Sequence, residues 1–417
     1  MKQRRVVVTG LGAITPLGNS VPEFWKGLVN GVNGVNQITR FDASKFKTQF
    51  AAEVKNFDPL DFFDKKEARK YDLVTIFGLI ASAEAIKDSK FKESSFDPLR
   101  AGVVWASGIG GIMTFETEVK SFVEGDGTPR FNPFFIPKMI ADITAGHISM
   151  AHKLQGPNYA TVSACASSGH AMAEAVNLIL LNKADIMVVG GSEASICAAG
   201  VGGFNSMHAI STRNEDYKTA SRPFDKDRDG FVMAEGGGSL IFEDLEHALA
   251  RGAHIYAEVG GYGLTADAYH LTAPHPDGDG AYYAMKFAIE DAGLVPTDVD
   301  QINTHGTSTP VGDIAEPKAI VRLFGEHAYK IAINSTKSMH GHLLGATAAV
   351  EAISTVLTII NGIIPPTINH FTDDPEIDNK LNFCFHKAVE KEVNVAISNS
   401  FGFGGHNVSI LFKKYNG

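Results

Sequence analysis

Tyr159-Ala-Thr-Val-Ser-Ala-Cys165 and Lys330-Ile-Ala-Ile-Asn-Ser-Thr-Lys337 are two copies of one local pattern, and this pattern decides the fold. Each stretch is a short β-branched run that ends in a small polar turn. Each then leads into a segment rich in small and apolar residues, which predicts helices over 167–181 and 343–360. The identities are few, but the order of strand, polar turn and buried helix is repeated. The sequence therefore predicts two related halves.

The rest of the chain alternates in the same way between β-branched runs and longer helical patterns. The pattern over 73–88 is apolar on most sides and predicts a buried helix. Alternation of this kind favours βαβ units and a mainly parallel sheet covered by helices on both faces. We place the two domains at 1–253 and 254–417. The duplication brings two strand ends together, and α/β sheets bind ligands in the crevice at the carboxyl ends of strands.

Composition and charge exclude several classes of protein. The 417 residues carry 37 lysines and arginines against 47 acidic residues, a net charge of −10, so nucleic acid and membrane are not expected partners. We expect no apolar run of about 18 residues that could span a membrane. The basic start, residues 1–5, precedes an apolar run that is too short for a signal peptide. Three cysteines predict a reduced, cytoplasmic protein.

Cys165 lies where the first repeated strand meets its helix, among small residues. A helix N-terminus carries partial positive charge and free N–H groups, so we expect this position to lower the pKa of the thiol and favour a nucleophilic thiolate. A free cysteine is also often a small buried hydrophobic residue, an interpretation that suits Cys197 and Cys384. Its local context alone leaves Cys165 open between the two interpretations.

Three further turns carry polar groups after predicted strands. They are Thr304-His305-Gly-Thr-Ser-Thr309, Asn334-Ser-Thr-Lys337-Ser-Met-His340-Gly-His342 and Asn399-Ser-Phe-Gly-Phe-Gly-Gly405-His406. The last is glycine-rich, so its backbone can approach a ligand closely and offer N–H donors. A single histidine usually has a structural role. A thiol, two histidines, a lysine and an N–H-rich turn together are what acyl transfer through a thioester requires.

Three other motifs are weaker than they look. Gly10-Leu-Gly12 follows a strand, but the next glycine is Gly18, which breaks the spacing of a dinucleotide site. Asp225-Lys-Asp-Arg-Asp-Gly230 imitates a calcium loop without its final carboxylate, which favours a turn network of charges. His340-Gly-His342 has no third zinc ligand at a suitable spacing. We therefore predict no metal site.

Taken together, the motifs resemble those of the β-ketoacyl-[acyl-carrier-protein] synthases, and most closely the elongating branch of that family. The resemblance runs over essentially the whole chain. It rests on the sequences Ser163-Ala-Cys165-Ala-Ser, Thr304-His305-Gly-Thr-Ser-Thr, Ser335-Thr-Lys337-Ser-Met-His-Gly-His342-Leu-Leu-Gly and Asn399-Ser-Phe-Gly-Phe-Gly-Gly. It implies the thiolase fold, an α/β αβαβα five-layer sandwich of two duplicated halves, in a protein that is usually a homodimer.

The resemblance also implies roles for the residues. Cys165 would hold the acyl chain as a thioester, and the backbone N–H groups of Cys165 and Phe403 would form an oxyanion hole. His305 and His342 would stabilise the enolate formed when malonyl-carrier protein loses carbon dioxide, and Lys337 would tune both histidines. The product would be 3-oxoacyl-carrier protein, and no cofactor is implied because the 4'-phosphopantetheine arm arrives on the carrier.

The remaining implied residues fall into three groups. The supporting residues are Glu351, Phe401, Gly402 and Gly404, the substrate-binding residues are Thr307, Thr309, Ile109 and Phe135, and the residues that dock acyl carrier protein are Lys65, Lys66, Arg69, Lys70 and Arg130. Docking of an acidic carrier on an acidic enzyme needs a local basic patch, although a charged cluster is more often a solvated helix face.

Two histidines depart from the pattern of the family. His340 and His406 stand where its best-known members have threonine, and both lie within the predicted catalytic turns. They put fine substrate preference in question more than the reaction. The alternatives are a polyketide-type or other specialised ketosynthase with the same residues, and a non-catalytic partner subunit, which would lack the thiol that Cys165 supplies.

Overall fold

The computed structural model describes residues 4–417, so residues 1–3 of the basic start lie outside the described part. The helices are α1 (Val21–Val29), α2 (Lys65–Ala68), α3 (Leu73–Ser89), α4 (Ile112–Glu124), α5 (Phe135–Met139), α6 (Ile143–His152), α7 (Ser167–Leu180), α8 (Ala198–Ser206), α9 (Leu245–Ala250), α10 (Asp279–Asp291), α11 (Gly312–Phe324), α12 (Lys337–His340) and α13 (Thr347–Asn361). The strands are β1 (Val6–Ile14), β2 (Asn36–Gln37), β3 (Phe50–Ala51), β4 (Ala101–Ala106), β5 (Asn158–Thr161), β6 (Ile186–Glu193), β7 (Gly236–Asp244), β8 (Ala257–Ala266), β9 (Gln301–Asn303), β10 (Ala332–Asn334), β11 (Ile363–Ile364), β12 (Val389–Glu390), β13 (Val395–Gly402) and β14 (His406–Lys413).

The main sheet repeats one topology twice. Its order is β10-β9-β13-β14-β8-β1-β7-β6-β4-β5. Outward from β1 the strands are β1-β7-β6-β4-β5, and outward from β8 they are β8-β14-β13-β9-β10, the same order when each half is numbered by itself. The parallel and antiparallel pairings also correspond from half to half. The two halves meet where β1 pairs with β8. The domain boundary at 253/254 falls just before β8 and stays a prediction.

The expectation of a mainly parallel sheet was wrong. Only β4 with β5 and β6, and β9 with β10 and β13, pair in parallel; the central pairings that join β6, β7, β1, β8, β14 and β13 are antiparallel. The turn from β13 to β14, residues 403–405, is too short for the crossover that parallel neighbours need. The sheet is therefore mixed.

The helices complete a layered structure around the two halves of the sheet. Helix α3 packs on β1 and β7 from one side, and α10 packs on β8 and β14 from the other. Helices α7 and α13 contact each other and strands of both halves, so they form the middle layer. The order is helix, sheet, helix, sheet, helix. The expected buried helix over 73–88 is α3, which the side chain of Asp72 caps by accepting from Val74 N at 3.1 Å.

One apolar segment is longer than the sequence led us to expect. Residues 344–361 have a mean hydropathy of 1.5 over 18 residues, which is enough by length and composition for a membrane span. However, 89% of this window is buried inside the protein. The segment includes α13, the central core helix of the sandwich, so its apolar character is explained by packing against protein.

Candidate active site

Cys165 lies in a tight turn between β5 and α7. Residues Ala164–Ala166 form a 3₁₀ turn that runs directly into the helix, and Ala164 has a φ of +50°. The Cys165 side chain is 8% exposed. The backbone N–H groups of Phe403 and of Cys165 itself lie where they favour the charged form of the sulfur. These are the two groups expected to form an oxyanion hole, and the structure places both beside the thiol.

The expected low pKa of the Cys165 thiol is wrong. Burial raises the pKa of the Cys165 thiol to about 12, although Lys337 and the two N–H groups oppose this shift. Desolvation of a thiolate in a closed pocket outweighs the favourable end of one helix. Cys165 is therefore a thiol at neutral pH, and it must release its proton during attack.

His305 and His342 are the neighbours of this thiol. One ring nitrogen from each histidine and the Cys165 sulfur lie within 4.8 Å of one another, and the two ring centroids are 5.5 Å apart. His305 follows β9, and its backbone N–H donates to the Glu316 carboxylate at 3.0 Å. The backbone of His342 bonds to Val232 O at 2.7 Å. The site thus draws its three groups from both halves of the chain.

Both imidazoles are held neutral. Burial lowers the pKa of His305 and His342 well below the usual value, and the positive charge of Lys337 lowers both further. His305 Nδ1 and His342 Nε2 are buried without a hydrogen-bond partner among the described residues. Unpartnered buried polar atoms are costly and are characteristic of sites that bind a ligand. Neutral imidazoles can donate a hydrogen bond to a developing enolate oxygen.

Lys337 is paired with Glu351 in the core. The lysine is 1% exposed, and its Nζ lies 2.8 Å and 2.7 Å from the two carboxylate oxygens of Glu351 on α13. The same Nζ contacts Thr304 O at 3.4 Å, one residue before His305. Burial raises the pKa of Glu351 to about 7, against the pull of Lys337. Lys337 is thus a fixed cation beside both histidines.

The glycine-rich turn between β13 and β14 closes on the nucleophile. A Cβ on Gly402 would lie 2.8 Å from Ser163 O and 3.1 Å from Cys165 N, so only glycine allows this approach. Gly404 has a φ of +85°, which side chains rarely adopt. The Phe401 ring lies 5.8 Å from that of His305.

A cavity of about 710 Å³ opens at the thiol. Its lining includes Phe401, Gly402, Phe403, Ile109, Thr307 and Thr309 beside the catalytic candidates, whereas Gly404 is not part of it. The hydroxyls of Thr307 and Thr309 lie 3.0 Å apart. Phe135 also lies outside the lining; its ring stacks on Phe131 at 5.3 Å and on Phe115 at 6.4 Å. In this single chain, Phe135 therefore belongs to a surface aromatic cluster.

The remaining predicted residues lie away from the cavity. Lys65, Lys66 and Arg69 are exposed on or just after α2, Lys70 is half-buried, and Arg130 is exposed 3.7 Å from Asp126. The two departures from the family pattern do not line the cavity either. His340 is buried and lies 3.0 Å from the Thr336 hydroxyl, whereas His406 is exposed beside His170.

Several residues of the site were not predicted. Glu316 accepts from the backbone of His305 and from the Asn399 side chain at 2.9 Å, and Thr347 Oγ1 lies 2.9 Å from His342 Nδ1. The segment 271–275 supplies another wall of the cavity. Its Thr-Ala-Pro-His composition is typical of a loop, but nothing local in the sequence indicates that this loop covers Cys165.

The geometry of the three reactive groups alone admits two chemistries. A thiol and two imidazoles within 4.8 Å could carry acyl transfer or hold a metal ion. The segment 225–230, for which a turn network of charges was predicted, forms one: Asp225 accepts from the N–H groups of Phe371 and Thr372 and lies 3.7 Å from Arg222.

Comparison with known proteins supports the first of these chemistries, acyl transfer. The model of the β-ketoacyl synthase N-terminal domain matches residues 3–248, and that of the C-terminal domain matches residues 256–371. The curated 3-oxoacyl-[acyl-carrier-protein] synthase 2 of Synechocystis is 49% identical over 100% of this chain and 99% of its own length. The enzyme of the same name from Staphylococcus aureus is 47% identical over 99% of both chains.

Solved structures agree with the fold. A β-ketoacyl synthase from Burkholderia phymatum superposes with a TM-score of 0.91 at 34% identity, over 99% of this chain and 100% of that one. A type II polyketide ketosynthase in complex with its acyl-carrier protein also gives 0.91 at 34%, over 100% of both chains. The predicted thiolase-like αβαβα sandwich of two duplicated halves is confirmed. The chain belongs to the β-ketoacyl synthase family.

Proposed function

We propose that this chain is the elongating 3-oxoacyl-[acyl-carrier-protein] synthase of fatty acid synthesis, an acyltransferase. The observation that carries this proposal is the Cys165 thiol, set within 4.8 Å of two neutral imidazoles. The reaction is the decarboxylative Claisen condensation of an acyl chain with malonyl-carrier protein. The curated relatives at 47–49% identity carry this enzyme name and support the assignment.

The first half-reaction loads the enzyme. Cys165 Sγ attacks the thioester carbonyl of the incoming acyl-carrier protein and loses its proton. The N–H groups of Cys165 and Phe403 stabilise the negative charge on the carbonyl oxygen. The bond from carbon to the carrier sulfur then breaks, and the leaving pantetheine thiolate takes up the proton. The product is an acyl-enzyme thioester and free carrier protein.

The second half-reaction forms the carbon–carbon bond. His305 and His342 donate N–H to the thioester oxygen of malonyl-carrier protein, which stabilises the enolate as the bond to the carboxylate breaks and carbon dioxide leaves. The electron pair released attacks the acyl carbon on Cys165, and the thiolate leaves and is reprotonated. Burial and, to a lesser extent, the charge of Lys337 lower the pKa of both imidazoles, so they act as hydrogen-bond donors without a net charge.

The proposal extends to partners and setting. Acyl carrier protein docks through the basic residues near α2 and Arg130, and its 4'-phosphopantetheine arm enters past Thr307 and Thr309, so the enzyme needs no cofactor or metal of its own. We expect a cytoplasmic homodimer that binds neither nucleic acid nor membrane. The edge strand β5, with Tyr159 at 36% exposure, and Val162 just after it, at 60%, support association of two copies.

Docking is tested by reversing charge. The double variant Lys66→Glu/Arg69→Glu is expected to raise KM for the carrier protein at least several-fold and leave kcat nearly unchanged, because carriers are acidic. Lys183→Glu is the matched control, since Lys183 lies beyond the far end of α7 from Cys165. An unchanged KM in the double variant would remove this docking surface.

A specialised ketosynthase remains the second candidate, because a type II polyketide ketosynthase is among the similar structures at 34% identity. The two differ in the acyl chains they extend. A panel of saturated and 3-oxo acyl-carrier proteins separates them, and preference for saturated chains supports fatty acid elongation.

The central experiment is intact mass after incubation with acyl-carrier protein. We expect a mass increase equal to the acyl group in the wild type and none in Cys165→Ala. Cys384→Ala is the matched control, because Cys384 is a buried thiol away from the cavity, and it should be acylated like the wild type. An unmodified wild type with a competent carrier would contradict the proposed function.

A further inference from the structure

Glu193 is a buried carboxylate that the proposed mechanism does not use. It is the last residue of β6 and is 0% exposed. No lysine, arginine or histidine pairs with it anywhere in residues 4–417. Four neutral donors surround it instead: Gly108 N at 2.7 Å and Gly345 N at 3.1 Å on Oε2, with the hydroxyls of Ser107 at 3.2 Å and Ser195 at 3.0 Å on Oε1.

The two backbone donors lie in turns that line the active-site cavity. Gly108 precedes Ile109 in the turn after β4, and Gly345 follows Leu344 in the turn before α13. Gly108, Ile109 and Leu344 all line the cavity. The two turns come from different halves of the chain, and one carboxylate oxygen of Glu193 joins them. Its hydrogen bonds therefore fix the distance between the two turns that line the cavity beside Cys165.

The turns leave no room to move closer. A Cβ added to Gly345 would fall on Gly108 N and within 2.7 Å of Ser107 C, and a Cβ added to Gly108 would lie 2.8 Å from the Glu193 carboxylate. Without the carboxylate, the buried N–H groups of Gly108 and Gly345 would lose their hydrogen-bond partner, which is unfavourable for each group. The two turns could avoid this by moving until their N–H groups find other partners, and that movement would displace the wall of the cavity.

The same carboxylate also acts on the nucleophile. The charged and titratable groups that face Cys165 are Lys337, Glu193 and the two neutral histidines. Lys337 favours the thiolate, and a charged Glu193 opposes it. Burial raises the pKa of Glu193 to about 7, so this carboxyl changes charge close to neutral pH.

We propose that Glu193 is a positioning residue with two effects. Its carboxylate joins the turns at Gly108 and Gly345, which form one wall of the cavity, and we call this link the clamp. Its negative charge lowers the reactivity of the Cys165 thiol. The role of the wall rests on the proposed function, because it assumes that an acyl chain occupies the cavity. The effect on the thiol does not, because any small electrophile reports it.

Glu193→Gln separates the two effects. The amide oxygen can take the place of Oε2 and accept from both glycines, while the amide nitrogen donates to the two serine hydroxyls. The clamp is kept and the charge is lost. Glu193→Ala removes both. Glu84→Gln is the matched control, because Glu84 also accepts two backbone N–H groups, from Ala13 and Val21, and neither of these residues lines the cavity.

The first measurement is the rate of alkylation of Cys165 by iodoacetamide between pH 6 and 9, read by peptide mass with Cys384 as internal reference. At pH 8 we expect Glu193→Gln to react about three- to tenfold faster than the wild type, the equivalent of up to about one pKa unit of the thiol. At pH 6, where Glu193 is largely protonated, the two rates should converge. Equal rates in both proteins and in Glu84→Gln across this range would overturn the effect on the thiol.

The second measurement compares acyl-carrier proteins of increasing chain length. Glu193→Gln should keep the ranking of kcat/KM among chain lengths, and Glu193→Ala should flatten it. An unchanged ranking in a folded Glu193→Ala would overturn the clamp, and if that variant does not fold, a flattened ranking in Glu193→Gln would do so. Failure of the proposed function would appear separately, as a wild type that is alkylated but never acylated.

Discussion

The two strand-to-helix junctions of the duplicated halves have one backbone and two chemistries. In the first half, β5 leads into Ala164–Ala166 and α7; in the second, β10 leads into Leu344–Ala346 and α13. Each 3₁₀ turn begins with a residue at positive φ, +50° at Ala164 and +47° at Leu344. The next residue is Cys165 in one junction and Gly345 in the other. The duplicated turn therefore presents a thiol only once.

The second junction differs by what precedes the turn. Val162 and Ser163 separate β5 from its turn, whereas residues 335–343 separate β10 from its own. The longer segment carries Lys337, His340 and His342. One half thus supplies the nucleophile, and the other, with His305, supplies the imidazoles and the cation. Division of labour between two copies of one turn explains why the site lies where the halves meet.

The largest predicted effect breaks the charge pair of the second junction. Lys337→Met leaves the Glu351 carboxyl buried without its partner. We expect the free energy of unfolding, measured with urea at pH 8, to fall by about 3–5 kcal/mol. The double variant Lys337→Met/Glu351→Met removes both charges and should recover most of that stability without recovering condensation. A single variant within about 1 kcal/mol of the wild type would contradict the central role of this pair.

The next effect tests why the second junction has no nucleophile. A Cβ on Gly345 would fall on the backbone of Gly108, so Gly345→Ala should cost about 1–3 kcal/mol of unfolding free energy. Gly146→Ala is the matched control, because no atom lies within 4 Å of a Cβ on this glycine of α6; it should be stabilised by up to about 1 kcal/mol. Equal stability of the two variants would mean that the turns can separate freely.

Local patterns predicted both junctions, because strand ends and helix starts depend on near neighbours in sequence. The elements that hold Cys165, Lys337 and His342 were thus found, and family resemblance then supplied their roles. The thiol pKa could not be predicted, because it depends on burial by segments distant in sequence, such as the turn at Phe403. The partners Glu193 and Glu316 were missed for the same reason: a single glutamate in a sequence does not indicate which backbone groups it meets.

A smaller effect concerns His340, one of the two histidines in the longer segment of the second junction. Burial and the charge of Lys337 lower the pKa of His340 to about 3, whereas its unfolded value is about 6.5. Because the folded pKa is the lower one, unfolded His340 binds the proton first, and stability is lost as pH falls below about 6.5. His340→Thr should reduce the loss between pH 6.5 and 5 by about 1.6 kcal/mol. Urea unfolding at pH 6.5 and at pH 5 measures this difference, whatever the stability of the variant at pH 8. Equal losses of unfolding free energy in the wild type and the variant would contradict the prediction.

The smallest effect concerns the feature that both junctions share, the positive φ before the key residue. Ala164→Gly relieves a left-handed conformation that costs an alanine about 1 kcal/mol, so we expect a gain of up to that amount in unfolding free energy. Ala166→Gly, two residues on, is the matched control; its φ is −87°, and glycine there should lose about 0.5–1 kcal/mol. Opposite signs in one turn would show that the strain belongs to position 164. Acylation of Cys165 in Ala164→Gly should then be slower than in the wild type, although the variant is more stable. The reason is that a more flexible residue before Cys165 positions the thiol less firmly against its two N–H donors. Losses of similar size in both variants would instead show that the turn is unstrained.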